Sequence, residues 1–203
     1  MKLGEVLNDS FDLAKKLTED MRRLILLIVL GIIPIVNFIV IGYGYRLIQI
    51  GKKELPELGN YGELFINGLK IVVALLIYMI IPVALIITGA GIGSLSLAAG
   101  IPLVVAGMVI AFLLAIIAAM GIVHMIVNNS FGKAFAFGEI IKVIKRAGTG
   151  VYLAWLIIIF VTGVIIGAIG RTPVIGWVIE GILTPFYVVF YSRSALLIYK
   201  RGI

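Results

Sequence analysis

The chain alternates between long apolar runs and short charged segments, and the lengths of both are informative. Residues 71 to 132 contain no Asp, Glu, Lys or Arg. About 20 apolar residues cross the ~30 Å hydrocarbon layer as one helix, so this run holds two crossings joined by the Gly-rich turn around Gly89 to Gly100. Apolar segments fall at roughly 24 to 50, 67 to 88, 101 to 127, 151 to 170 and 173 to 199. Pro102 and Pro173 are expected in first turns, where no amide donor is needed, and Thr172 as the cap of the last segment. Between these runs the period changes. Leu7, Phe11, Ala14, Leu17, Met21 and Leu24 recur at steps of three and four within an otherwise charged stretch, which predicts an amphipathic interfacial helix over residues 1–23. Residues 128–150 hold a second, with Phe135, Ile140, Ile141 and Ile144 opposite Lys133, Lys142, Lys145 and Arg146. A weaker third precedes Lys70. The predicted fold is an all-α polytopic transmembrane bundle of five apolar segments with interfacial helices, forming a single integral membrane domain over 1–203.

Lys and Arg in the short connections set orientation. The first 23 residues carry five, residues 46 to 70 carry four, and residues 128 to 150 carry four, whereas 88 to 100 carry none and the turn at 170 to 173 only Arg171. The charged segments and both termini are therefore expected on the cytoplasmic side of a cell membrane. One apolar segment, 24 to 50, then separates two regions that both read as inside. Pro34 and Asn37 interrupt it near its middle, giving pieces of about 15 Å and 21 Å at 1.5 Å per residue, each too short to cross. A re-entrant hairpin fits the charges; a single Pro-kinked crossing with the amphipathic N-terminus outside is the alternative. A weak repeat favours the hairpin. Leu3-Gly4-Glu5, Tyr61-Gly62-Glu63 and Phe137-Gly138-Glu139 each open an amphipathic stretch before an apolar pair, and Gly89 to Gly93 matches Gly167 to Gly170 as an outer turn.

Composition agrees with a membrane solvent: 62% hydrophobic and 13% charged residues, with a mean hydropathy of +1.21. The net charge of +7 lies beside the apolar runs, which points to anionic lipid headgroups and away from nucleic acid. There are no cysteines, so disulfides, thiolate metal sites and thiol nucleophiles are out. The N-terminus mixes Glu5, Asp9, Asp12, Glu19 and Asp20 with five basic residues, which is unlike a secretory signal.

Several motifs resemble those of one known family. Gly42-Tyr43 with Arg46, then Leu55-Pro56-Glu57, Tyr61-Gly62-Glu63-Leu64-Phe65 and Gly68-Leu69-Lys70, then Phe135-Ala136-Phe137-Gly138-Glu139, are similar to an uncharacterised archaeal and bacterial polytopic membrane family, domain of unknown function forty-thirteen. The likeness covers nearly the whole chain and is sharpest over 42 to 70, with Leu58-Gly59-Asn60-Tyr61 departing from the acidic-aromatic pair usual there. The resemblance implies a membrane class, fits an archaeal source and carries over no functional residue.

The chemistry is sparse. Glu180 is the only acidic residue within an apolar segment, about 10 Å inside the last one. On a helix it shares a face with Gly176 and Thr184, and Pro185 frees a backbone carbonyl nearby. Cation coordination or proton relay is weighed against a protonated carboxyl hydrogen-bonded to another helix. Arg46 and Arg193, flanked by Tyr43, Tyr45, Tyr191 and Tyr199, read as snorkelling cations in an aromatic belt, with Glu54, Glu57 or a lipid phosphate as the partner open to Arg46. His124, the only histidine, reads as a packing or interfacial residue. Gly107, Ala111, Ala115 and Ala119, and Gly163 with Gly167, repeat every fourth residue as helix-packing positions. No phosphate loop, zinc spacing or nucleophile elbow occurs. No catalytic, cofactor or metal site is expected. The leading expectation is a non-enzymatic membrane module packing with itself, with partner proteins or with lipids. The alternative is a small channel or secondary transporter built on the broken segments at Asn37 and Pro185, with Glu180 in the path.

Overall fold

The computed structural model describes residues 1–203 and is all-α, with eight α-helices and no strands. They are α1 (Leu3–Lys15), α2 (Met21–Ile32), α3 (Phe38–Ile50), α4 (Tyr61–Gly93), α5 (Leu97–Val127), α6 (Phe137–Ala147), α7 (Thr149–Gly170) and α8 (Gly176–Arg201), with short 3₁₀ turns at Lys16–Glu19 and Phe131–Phe135. Four of them, α4, α5, α7 and α8, are long and apolar enough to cross a membrane. The segment 24 to 50 does not form a fifth such helix. At 1.5 Å per residue α2 and α3 reach only about 18 and 20 Å.

The break between α2 and α3 has a local cause. Ile33, ahead of Pro34, is extended at φ −83°, ψ 117°, as the proline ring requires of its predecessor. Ile35 follows at φ 69°, and the amides of Val36, Asn37 and Phe38 close onto the carbonyls of Pro34 (2.8 Å), Ile33 (3.0 Å) and Ile35 (3.2 Å). The turn thus satisfies three of its own donors. The turn between α7 and α8 has the same form: Val174 sits at φ 73°, Ile175 donates to Pro173 (2.9 Å) and Gly176 to Thr172 (3.1 Å). Gly31-Ile32-Ile33-Pro34-Ile35-Val36-Asn37 and Gly170-Arg171-Thr172-Pro173-Val174-Ile175-Gly176 carry this matching pattern. A β-branched residue at positive φ costs about 1–3 kcal/mol, so both tips hold strain that the packed helices must offset.

The chain returns on itself at the first tip. The start of α2 meets the segment beyond α3, where Asp20, Arg22, Arg23, Glu57 and Tyr61 share a polar cavity of about 300 Å³. Tyr43 O–H of α3 donates to Pro56 O at 3.1 Å, and Ile32 at the far end of α2 packs on Gly181 of α8. That places the tip about 7 Å short of the start of α8, five residues further on.

Three hairpins result: α2–α3, α4–α5 and α7–α8. Their returning helices α3, α5 and α8 pack against one another in the centre. Tyr45 and Ile48, Met120 and Val123, and Ala195, Leu196 and Tyr199 belong to one buried cluster. Each hairpin follows an opening segment, α1, the first turns of α4, or α6, so the weak sequence repeat corresponds to the architecture.

Some local expectations need correction. α5 begins at Leu97, so Pro102 lies inside the helix, and α8 begins after Ile175, which leaves Pro173 and Thr172 in the turn. The stretch before Lys70 is no separate helix; it is continuous with α4. On α1 the buried face is Val6, Ser10, Leu13 and Ala14, with Phe11 55% exposed, because the helix turns its small and aliphatic side chains toward α8. The small-residue stripe on α5 holds in part. Gly107 is buried against Pro82 and Ile86 of α4, but Ala115 is exposed and Ala118 is the buried alanine, since the 3.6-residue period drifts off a strict four-residue stripe. Ala111 and Ala119 are half-buried. Gly163 faces the Tyr187 hydroxyl, whereas Gly167 has open space where a side chain would lie, so its packing role is not realised.

Candidate functional site

The six salt bridges of Lys and Arg and the His124–Glu139 contact all lie at one end of the bundle, where the loop 51–60, the 128–136 connection and both termini meet. Three of them join hairpins in cyclic order. Arg46 of α3 reaches the opening of α4, with Nη2 3.1 Å from Glu63 and Nη1 donating to the carbonyls of Glu57 (3.0 Å) and Gly59 (2.9 Å). Near the end of α5, His124 Nε2 lies 2.9 Å from Glu139 at the opening of α6. The α8 residue Arg193 donates from Nε to Asp9 of α1 at 2.7 Å. Each return helix thus carries a cationic or imidazole group to the next opening helix, and the last reaches back to the first.

The three links differ in depth. Arg193 is 7% exposed, and Asp9 also receives Lys53 at 2.9 Å. Partial burial pushes the Asp9 carboxyl up, but the hydrogen bonds and charges of Arg193 and Lys53 outweigh it and hold the group below its ordinary value. Glu139 is exposed and is held low first by Lys133 (2.7 Å), then by His124. His124 is buried, and both of its ring nitrogens are engaged. Nε2–H donating to Glu139 and Nδ1 accepting from Tyr199 O–H at 2.8 Å satisfies the imidazole completely. Asn128 Nδ2 donates to the His124 carbonyl at 2.8 Å.

These contacts revise the reading of the arginines. The Arg193 guanidinium is buried and paired instead of snorkelling, because α1 lies over it, and Arg46 takes the carboxylate of Glu63 in place of Glu54 or a side-chain contact from Glu57. His124 remains a packing residue with specific partners.

The other candidates lie elsewhere. Glu180 is on the fifth residue of α8, half-buried, with its carboxyl against Gly170 and no cation of the chain paired to it. The Thr184 hydroxyl donates to the Glu180 carbonyl at 2.7 Å, an ordinary helical back-bond. Asn37 sits at the first tip with its side-chain oxygen buried and unpartnered. Ile32 brings that tip to Gly181, next to Glu180 in sequence, but Asn37 and Thr184 do not join Arg46, which is at the charged end.

Sequence reasoning missed Asp9, which is 184 residues from its partner. The usable signal was order: Arg46 and His124 each precede an acidic opening segment, and the arginine near the end of α8 has only the first such segment left to meet.

A bundle of four long apolar helices, with every salt bridge at one end and only Arg171 and Glu180 charged toward the other, is that of a helical membrane protein. Residues 25–175 match the family described as protein of unknown function, DUF4013, and the chain belongs to it. No curated protein and no solved structure matches the chain.

Proposed function

We propose that the protein is a non-enzymatic membrane module that engages lipids, partner proteins or copies of itself, with the α2–α3 hairpin re-entrant and the charged end cytoplasmic. All Lys and Arg residues except Arg171 belong to segments at that end, which supports the orientation. The observation carrying the reading is the packing of the three return helices. Where a conducting path along their common axis would leave at the charged end, Met120, Val123 and Ala195 are completely buried and Tyr45, Ile48, Leu196 and Tyr199 nearly so.

The channel or secondary-transporter reading has one observation in its favour: a broken hairpin ending near Glu180 with an unpartnered Asn37 oxygen, in the manner of discontinuous helices at transport sites. Reconstitution separates the two. Purified protein in liposomes is expected to pass no ion from a panel of monovalent and divalent ions above the rate of empty vesicles. A flux altered in rate or pH dependence by Glu180→Gln would establish the transport reading instead.

A further inference from the structure

A lateral groove of about 560 Å³ lies between α1, α7 and α8. Phe11 and Ala14 form one wall, Ile166 the other, and Leu183, Phe186 and Phe190 the floor. Its remaining polar groups ask for nothing. Thr162 O–H donates to Ile158 O at 2.8 Å, and Tyr187 O–H donates to Ile159 O at 3.1 Å. An occupant therefore needs an apolar body and no hydrogen-bonding groups along its length.

At the α1 edge stands Lys15. Its ammonium lies 5.0 Å above the Phe11 ring, pairs with no carboxylate of the chain and is the one charged group among the residues that line the groove. The groove runs from this cation toward the middle of α7 and α8, which is the polarity of an amphiphile with an anionic head and an apolar tail.

We propose that the groove binds one anionic membrane phospholipid, its acyl chain between α1, α7 and α8 and its phosphate at Lys15. This rests on the membrane-module reading and names the ligand class of that module. The lipid lies against both α1 and the α7–α8 hairpin, so it adds to the hold of the Asp9–Arg193 pair.

The test is native mass spectrometry of the full chain released from mild detergent, with added phosphatidylglycerol or phosphatidylcholine of identical acyl chains. Wild type is expected to retain a single phosphatidylglycerol in preference to phosphatidylcholine. Lys15→Ala should weaken phosphatidylglycerol retention about five-fold, the effect of one basic residue at an anionic surface, and leave phosphatidylcholine unchanged. Thr162→Trp, which fills the groove, should lower both. Lys142→Ala, on the exposed face of α6, should change neither. Equal retention of the two lipids by wild type, or no effect of Lys15→Ala, overturns the proposal; Lys15 is on the surface, so that variant folds even where Thr162→Trp does not. Wild type that binds neither lipid while its charged segments still label from one face loses the lipid site and keeps the membrane reading.

Discussion

Gly42→Ala and Gly68→Ala are each expected to destabilise the protein by about 3 kcal/mol, measured as loss of helical signal on heating in detergent. A Cβ at Gly42 would be driven into the Leu64 carbonyl and one at Gly68 into the Phe38 carbonyl, and each would also come within 3.0 Å of the other glycine's amide nitrogen. Both obstacles are helix backbone, which does not rotate out of the way as a side chain does. The two glycines share one crossing of α3 over α4, so the double variant should cost less than the sum of the singles. Gly91→Ala in the same helix meets open space and should lose nothing, gaining up to about 1 kcal/mol of helix propensity. Equal behaviour of the three variants would show that α3 does not cross α4 there.

Arg193→Ala should be nearly as damaging, at about 3 kcal/mol, the lower end for a broken buried pair because Asp9 keeps some exposure and its contact with Lys53. The loss should be local first: backbone amides of α1 should exchange with solvent faster while those of α5 stay protected. Asp9→Asn should act in the same direction, and a double-mutant cycle should return a coupling of about 1–3 kcal/mol. Acid adds a second readout. The folded Asp9 carboxyl titrates below its ordinary 3.8, so its contribution is fully present above that value and is lost as pH falls through the lower, folded value. Protection of α1 should therefore fall below about pH 4, and in Asp9→Asn this carboxylate's share of the loss should be missing.

Apolar length and breaker residues made most of the architecture legible. Length alone identified α4, α5, α7 and α8, and Pro34 with Asn37 marked the break that keeps α2 and α3 short. The Gly-Glu openings anticipated three hairpins. What escaped was rotation and pairing. Phe11 and Leu7 fit an apolar stripe as well as Val6 and Leu13 do, and only α8 decides which face is covered. Arg193 looked like an interfacial arginine because nothing local marks a residue whose carboxylate partner lies at the other end of the chain. The matching turns at Ile35 and Val174 were written in the sequence as glycine, then proline three residues on, then two β-branched residues. The pattern was hidden by the different lengths of the helices around it. The groove at Lys15 was unreadable in advance, because its walls come from α1, α7 and α8 and its shape depends on how they splay.

The central claim is that residues 21 to 50 enter and leave through one face. The absence of cysteine allows single replacements at Asn8, Lys52, Ser94 and Ile203, all exposed, to be labelled with a membrane-impermeant maleimide in sealed vesicles of known orientation. The account predicts that Asn8→Cys, Lys52→Cys and Ile203→Cys react from one side and Ser94→Cys from the other. Reaction of Asn8→Cys from the side of Ser94→Cys would make the segment a single crossing and contradict the hairpin.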